Sequence, residues 1–452
     1  MNCLYRHTYL KGKPYRRRKV SDPETYLSIA IRAMRMLEYS EKHTDTGLYW
    51  DTEPGTSLLE KRSDQSDLTL YSGTTGVIYS HLLFYDVTKD SLWKEKAEAG
   101  LNWLAANWKE NIHENKPEDY GYYMGVSGIG SVFLTAGDIL NENRWYSEAL
   151  HIMGWLKEKA INTKHGVIWK GRTGLNFDAG SILFLCACYK HHMDTEKIIR
   201  SAGDAYLDYR DGTNGDIYDN NDHAMPNFFY GTAGSAYMMA ELYQCTKDEK
   251  YLNASEEMAD WLMRIAVKQK TGVLIPYIHE DNPIFYVNLC HGPAGTSKAF
   301  DLLYDITGKQ MYQGFMHELY LGTKDKGVPY VQSDTLWNNV SYCCGTAGLL
   351  NWYTGMYLKD YDEEYKRLAM DCGEILVGEA EYDHDLPYWP IAFSRHHNDR
   401  IDVRTGFFSG NAGIAVQLLQ LYCLLTGRYQ WYSMPDDPFS DRFRKREIIY
   451  EV

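Results

Sequence analysis

The sequence contains no apolar run of about 18 residues, so it encodes no helix long enough to span a bilayer. Its opening residues, Met1-Asn2-Cys3-Leu4-Tyr5-Arg6, lack the apolar stretch of a secretory signal. Both absences lead us to expect a cytoplasmic protein, whose thiols stay reduced. Nine cysteines, an odd number, also argue against a complete disulfide framework. Positive charge is scarce: the net charge of −14 argues against nucleic acid as a partner. One exception is local, where Lys11, Lys13, Arg16, Arg17, Arg18 and Lys19 read as a solvated basic tail or a guide for an acidic peptide. No low-complexity linker divides the 452 residues, so a single large domain is expected, with tails at 1–22 and, charged, at 436–452.

What is present is a repeat. A 44% apolar content supplies a core, and the 14% aromatic content fits a densely packed helical interior or an aromatic cleft. Gly-x-x-Gly recurs before apolar helical stretches: Gly73-Thr-Thr-Gly76, Gly125-Val-Ser-Gly128, the degenerate Phe177-Asp-Ala-Gly180, Gly231-Thr-Ala-Gly234, Gly292-Pro-Ala-Gly295, Gly345-Thr-Ala-Gly348 and Gly410-Asn-Ala-Gly413. Starts at 73, 125, 177, 231, 292, 345 and 410 give intervals of 52, 52, 54, 61, 53 and 65, a period of roughly fifty residues. Each copy leads into an apolar run such as Val77 to Phe84, then a break such as Lys89-Asp90 or Thr307-Gly308-Lys309. A second helix follows, as from Trp93 to Trp108 with Leu101, Leu104 and Trp108 on one face. Short extended pieces precede the motifs: Gly47–Trp50, Gly166–Trp169, Gly272–Ile275 and Gly327–Tyr330. The expected fold is all-α: one α/α toroid of seven helix pairs, about fourteen helices over 23–435, with short hairpins at one rim. The glycines would open the inner helices and let their ends crowd together.

Two motif copies differ from the rest, reading Leu289-Cys290-His291-Gly292 and Tyr342-Cys343-Cys344-Gly345. Equivalent positions of adjacent repeats lie side by side in a toroid, so Cys290, Cys343 and Cys344 should converge. Three converging thiolates predict a zinc site with its fourth position open. Zn²⁺ with three thiolates carries about −1 formal charge, which acidifies a bound water poorly; a fourth, substrate thiolate would instead remain nucleophilic. Cys186, Cys188, Cys245 and Cys423 read as ordinary core cysteines.

With these motifs the chain resembles the lanthionine synthetase C-like family, the lanthipeptide cyclases, over nearly its whole length. The resemblance implies addition of a peptide Cys thiol to dehydroalanine or dehydrobutyrine, with zinc activating the thiol and an acid protonating the resulting enolate. Cys343-Cys344-Gly345 stands where most members have Cys-His-Gly and resembles an all-cysteine branch of the family. The implied substrate is a dehydrated precursor peptide, and since no dehydratase region is visible, a separate dehydratase is implied as partner. The family's usual acid/base set is replaced: its fourth-repeat His by Tyr230, its third-repeat Asp by Thr173, with Asp178 inside the motif, and the Arg before its first zinc Cys by Tyr286.

The candidate catalytic residues are therefore His291, Tyr230 and His223, and the candidate substrate-binding residues Asp178, His279 and Tyr286. Two other readings stay open. A carbohydrate-active toroid enzyme would need paired carboxylates, for which Asp119, Asp178, Asp222, Glu280 and Asp281 are available. A non-catalytic, zinc-containing peptide-binding protein would explain the missing acid/base residues.

Overall fold

Every glycine motif opens a helix in the computed structural model, which describes residues 13–52, 68–112, 116–211, 225–277, 284–332, 339–394, 397–428 and 431–443. The motif helices are α2 (Thr74–Thr88), α4 (Val126–Leu140), α6 (Asp178–Lys190), α8 (Thr232–Thr246), α10 (Pro293–Thr307), α12 (Thr346–Asp360) and α14 (Asn411–Thr426). They stand side by side in that order, and α14 packs back on α2, closing a ring. The outer helices are α1 (Glu24–Met36), α3 (Ser91–Asn111), α5 (Asn143–Lys159), α7 (Glu196–Asp211), α9 (Glu249–Ile265), α11 (Gln310–Asp325) and α13 (Glu363–Glu379). Each of α3, α5, α7, α9, α11 and α13 packs on the inner helix before it, while α1, from the start of the chain, covers α14. This is the expected α/α toroid, with the seventh pair made from the two ends of the sequence.

Residue patterning explains the two layers. An inner helix is covered on all sides: every residue of α12 from Thr346 to Leu358 is buried. An outer helix buries one stripe, as α9 does with Tyr251, Leu252, Ser255, Met258, Ala259 and Leu262. The breaks between them are left-handed caps at Lys89, Asn141, Lys247, Gly308, Tyr361 and Gly427. After three of these, Asp90, Asp248 and Asp362 cap the next outer helix by accepting a backbone N–H.

The second glycine of each motif is required by a close approach. A Cβ would lie 2.4 Å from the Leu70 carbonyl oxygen at Gly76, 2.1 Å from that of Tyr122 at Gly128, and 1.7 Å from that of Phe407 at Gly413. The contact is with the loop leading into the same helix, so the glycines fold that loop over the helix start rather than letting helix ends crowd. The loops then pair with one another. Tyr71 N donates to Tyr123 O (3.0 Å), Tyr122 N to Leu175 O (2.8 Å), Asn176 N to Phe229 O (2.9 Å) and Phe228 N to Cys290 O (3.2 Å). Cys290 N donates to Cys343 O (3.3 Å), Cys343 N to Phe408 O (2.8 Å) and Phe408 N to Tyr71 O (2.9 Å), completing a circle.

Three of the four expected extended pieces form hairpins: Gly47–Trp50 with Glu41–Thr44, Val167–Ile168 with Ile161–Asn162, and Val273–Leu274 with Val267–Lys268. The fourth, 327–330, is a turn; the strand after it, Val331–Gln332, pairs instead with Lys13–Pro14.

Within the described residues, 13–22 and 436–443, both expected tails are corrected. Residues 14–20 run along α13, where Arg16 N donates to Glu379 Oε1 (2.5 Å), Arg17 Nε to Glu374 Oε2 (2.6 Å), and the Arg17 guanidinium pairs with Asp371. The acids on α13 hold Arg16 and Arg17 of the basic cluster against the protein. At the other end, Asp436, Asp437, Phe439, Ser440 and Phe443 are buried. The fully buried Lys298 on α10 donates to Asp436 O (3.0 Å) and faces the Asp437 carboxylate at 3.6 Å. Asn351 on α12 donates to Asp437 Oδ2 (3.2 Å) and Tyr123 OH to Asp436 Oδ2 (3.0 Å). Residues 431–443 therefore plug the ring among its inner helices.

The plug makes a stability prediction. Lys298→Met leaves two buried carboxylates without their cation and should destabilise the protein by about 3–5 kcal/mol. Urea unfolding should show this as a fall in midpoint.

Candidate metal centre

The circle of loop hydrogen bonds determines which side chains meet. Two residues before the first motif position stand Tyr71, Tyr123, Leu175, Phe229, Cys290, Cys343 and Phe408, the same residues that carry most of the backbone links. Four of them pack ring to ring at the hub. Tyr123 stacks on Phe229 with centroids 3.8 Å apart, Tyr71 stacks on Phe408 at 5.6 Å, and Phe229 meets Phe408 edge-on at 5.6 Å. Repeats five and six place cysteines where repeats one, two, four and seven place aromatics and repeat three places Leu175, and Cys344 adds a third sulfur from the next position.

The three sulfurs lie within 4.8 Å of one another and are buried. Cys290 Sγ is 3.8 Å from Cys344 Sγ, and Cys344 Sγ is 3.4 Å from Cys343 Sγ. Tetrahedral zinc with Zn–S bonds of about 2.3 Å needs sulfurs about 3.8 Å apart, so the group can hold such an ion. The donor chemistry agrees, since three soft thiolates favour zinc over hard-oxygen metals. The sulfurs also sit on the loops entering α10 and α12, at the positive ends of those helices.

The thiols are not equivalent. Burial pushes Cys290 and Cys344 well above the usual thiol range, although Arg404, itself buried, acts against this at Cys344. Cys343 is also opposed by burial, yet hydrogen bonds to its sulfur from Cys290, Cys344 and Tyr71 carry it well below that range. The metal-free group therefore concentrates negative charge on Cys343, and metal binding must release protons from the other two.

Of the expected catalytic residues, Tyr230 and His291 come together from the loops of repeats four and five. Tyr230 is held above the ordinary phenol range, first by burial and then by Cys343 and Cys290, so it stays protonated and able to donate. Its ring lies parallel to that of His291, with centroids 5.9 Å apart. Tyr277 at 4.8 Å and Tyr286 at 5.6 Å complete an aromatic surround for His291. Asn288 Oδ1 accepts from His291 N (3.3 Å) and holds the turn.

Other expectations fare differently. Asp178 is corrected: its carboxylate accepts the backbone N–H groups of Trp169, Lys170 and Gly171 at 3.0, 3.0 and 2.9 Å, pinning a hairpin to α6 instead of facing substrate. Thr74 and Asn411 do the same for Trp50 N (3.1 Å) and Trp389 N (3.2 Å), so this is a recurring structural role. Asp119, weighed as a glycosidase acid, is buried and accepts from Lys116 N (3.1 Å). His223, His279, Asp222, Glu280 and Asp281 lie outside the described residues.

Sequence reasoning missed Tyr71, Arg404 and Tyr277. Tyr71 had a usable signal, since it occupies in repeat one the position that Cys290 and Cys343 occupy in repeats five and six. Arg404 stands six residues before Gly410, as Tyr286 does before Gly292, so the seventh repeat carries a cation at the position equivalent to Tyr286.

Fold and site together define an α/α-toroid protein with a buried three-thiol centre at its hub. The sequence model of the lanthionine synthetase C-like protein family matches residues 64–434, and the chain belongs to that family. Among solved structures, nisin cyclase superimposes with a TM-score of 0.61 at 12% identity, covering 84% of this chain and 94% of its own. The Lin0763 protein of Listeria innocua gives 0.49 at 11% identity, covering 90% and 99%, and the cellobiose 2-epimerase of Bacillus thermoamylovorans 0.46 at 11%, covering 88% and 99%. No curated protein matches the chain. Among the described residues no helix is long and apolar enough to cross a membrane.

Tyr71 gives the test of the centre. Tyr71→Phe removes the donor to the Cys343 sulfur while keeping the ring stack, and should weaken zinc binding by about 10–100-fold. Competition with a chromophoric chelator measures it.

Proposed function

We propose that the chain is a zinc-dependent thioether-forming cyclase, adding a peptide Cys thiol to dehydroalanine or dehydrobutyrine, and that Cys343-Cys344-Gly345 is an all-cysteine form of the family's metal motif. The observation that carries this reading is the approach of three buried sulfurs from two adjacent repeats in a family member. Zinc bound there would lower the pKa of an arriving thiol, keeping it a nucleophilic thiolate near neutral pH.

The chain's own residues supply the rest. As the carbon–sulfur bond forms, electrons of the dehydroamino acid move toward its carbonyl oxygen and α-carbon, and a proton must arrive at that carbon. His291 is the proposed acid, because its backbone follows Cys290 directly. Tyr230, protonated and parallel to it, is the proposed donor to the developing oxyanion. The aromatic hub of Tyr71, Tyr123, Phe229 and Phe408 excludes water from one side of the sulfurs. Arg404 brings the positive charge that the position of Tyr286 does not. The substrate would be a dehydrated precursor peptide supplied by a separate dehydratase.

Cys290→Ala should lose the metal and reduce ring formation on a dehydrated peptide to the spontaneous rate, followed by mass spectrometry after thiol alkylation. His291→Asn and Tyr230→Phe should keep the metal and slow ring formation by about 10²–10⁴-fold. Wild-type protein that binds zinc yet never exceeds the spontaneous rate would mark a peptide-binding protein instead.

A further inference from the structure

Two more cysteines face each other away from the hub. Cys186 lies on α6 and Cys245 near the end of the adjacent α8, and both are free. The Cys245 thiol donates to the Cys186 carbonyl oxygen (3.7 Å), which brings the two side chains to the same helix boundary. One turn beyond Cys186 stands Lys190, and one turn before Cys245 stands Glu241; these two form an ion pair across the same helix boundary. Cys245 borders a cavity of about 790 Å³ open to the surface, together with Lys190, His192, Tyr243, Gln244 and Lys247. Cys186 lies behind it, 1% exposed.

This arrangement separates the roles of the two sulfurs. Cys245 is drawn below the usual thiol range, first by the neighbouring Cys186 side chain and then, against burial, by the Lys190 ammonium. Cys186 is pushed well above it, first by Cys245 and then by burial. Cys188 and Cys423 provide contrast within the same ring: burial pushes Cys188 up and holds Cys423 up at about 12.

We propose that Cys186 and Cys245 form a second, redox-active thiol site, in which Cys245 reacts with a small hydroperoxide entering the cavity and Cys186 resolves the product to a disulfide. With hydrogen peroxide, the Cys245 thiol gives up its proton and its sulfur attacks one oxygen: an S–O bond forms, the O–O bond breaks, and the departing hydroxide takes that proton to leave as water. The Cys186 sulfur then attacks Cys245: an S–S bond forms, the S–O bond breaks, and a second water leaves with the Cys186 proton. Two thiols are oxidised by two electrons and one hydroperoxide is reduced. The disulfide would tie the third stave of the ring to the fourth.

The full-length, zinc-loaded protein treated with hydrogen peroxide, quenched by alkylation and mapped by mass spectrometry tests this independently of any cyclase activity. The expected result is a peptide pair linked through Cys186 and Cys245, with Cys245 consumed about tenfold faster than Cys188 and Cys423, whose thiols stay protonated. Cys186→Ser should stop the reaction at a Cys245 sulfenic acid that dimedone traps. Cys245→Ser should leave Cys186 reduced, while Cys188→Ser should keep the linked peptide. Oxidation of Cys245 no faster than that of Cys188, or a sulfenic acid that persists in wild type without linking to Cys186, would overturn the proposal.

Discussion

The circle of backbone hydrogen bonds between the seven pre-helix loops is the constraint on which the rest of this protein depends. Each loop gives an N–H to the next loop and receives one from the loop before, and the seventh closes on the first. Buried backbone groups must be paired, so each loop is committed to both neighbours at once. That commitment holds only if each loop can fold back over the start of its own helix, where the second glycine admits a carbonyl oxygen at a distance no Cβ would allow. One small residue per repeat thus permits a ring that no single repeat could close.

The same circle builds the three-thiol centre. It brings the residue two before each motif to a common hub, and the identity of that residue decides what the hub contains. Aromatic residues pack; cysteines offer metal ligands. Because Cys290 N bonds directly to Cys343 O, the two loops share backbone, and their sulfurs are held close whether or not an ion is present. The surrounding charges then differentiate the sulfurs, with Tyr71 and the neighbouring thiols favouring charge on Cys343 while burial opposes it at Cys290 and Cys344.

The two ends of the chain brace this arrangement from opposite sides. The N-terminal strap reaches the sixth loop, where Tyr15 OH donates to Asn339 O at 3.2 Å, and Asn339 N in turn donates to Cys344 O at 3.0 Å. The C-terminal segment reaches the hub from inside the ring, through Asp436 and Tyr123. Both segments looked like solvated tails in the sequence because their charges were visible and their partners, Glu374, Glu379, Lys298 and Asn351, lie tens to hundreds of residues away.

Much of the architecture was legible because it is periodic. A motif repeated every fifty-odd residues announces seven equivalent units, and equivalence in a ring implies convergence, so Cys290, Cys343 and Cys344 could be joined from the repeat alone. Local chemistry was legible for the same reason: Asp90 caps a helix and Gly308 ends one by rules that act over a few residues. What lay beyond the sequence was the partner of each unique side chain. Nothing near Asp178 says that its oxygens hold a hairpin, and nothing near Tyr71 or Arg404 says that they stand beside sulfurs some 270 and 60 residues away, distances along the chain read from their numbering. Periodicity determined the ring and the meeting of three cysteines; only tertiary packing decided their protonation, their neighbours and the fate of the two chain ends, because burial and long-range charge are properties of the closed ring and not of any one repeat.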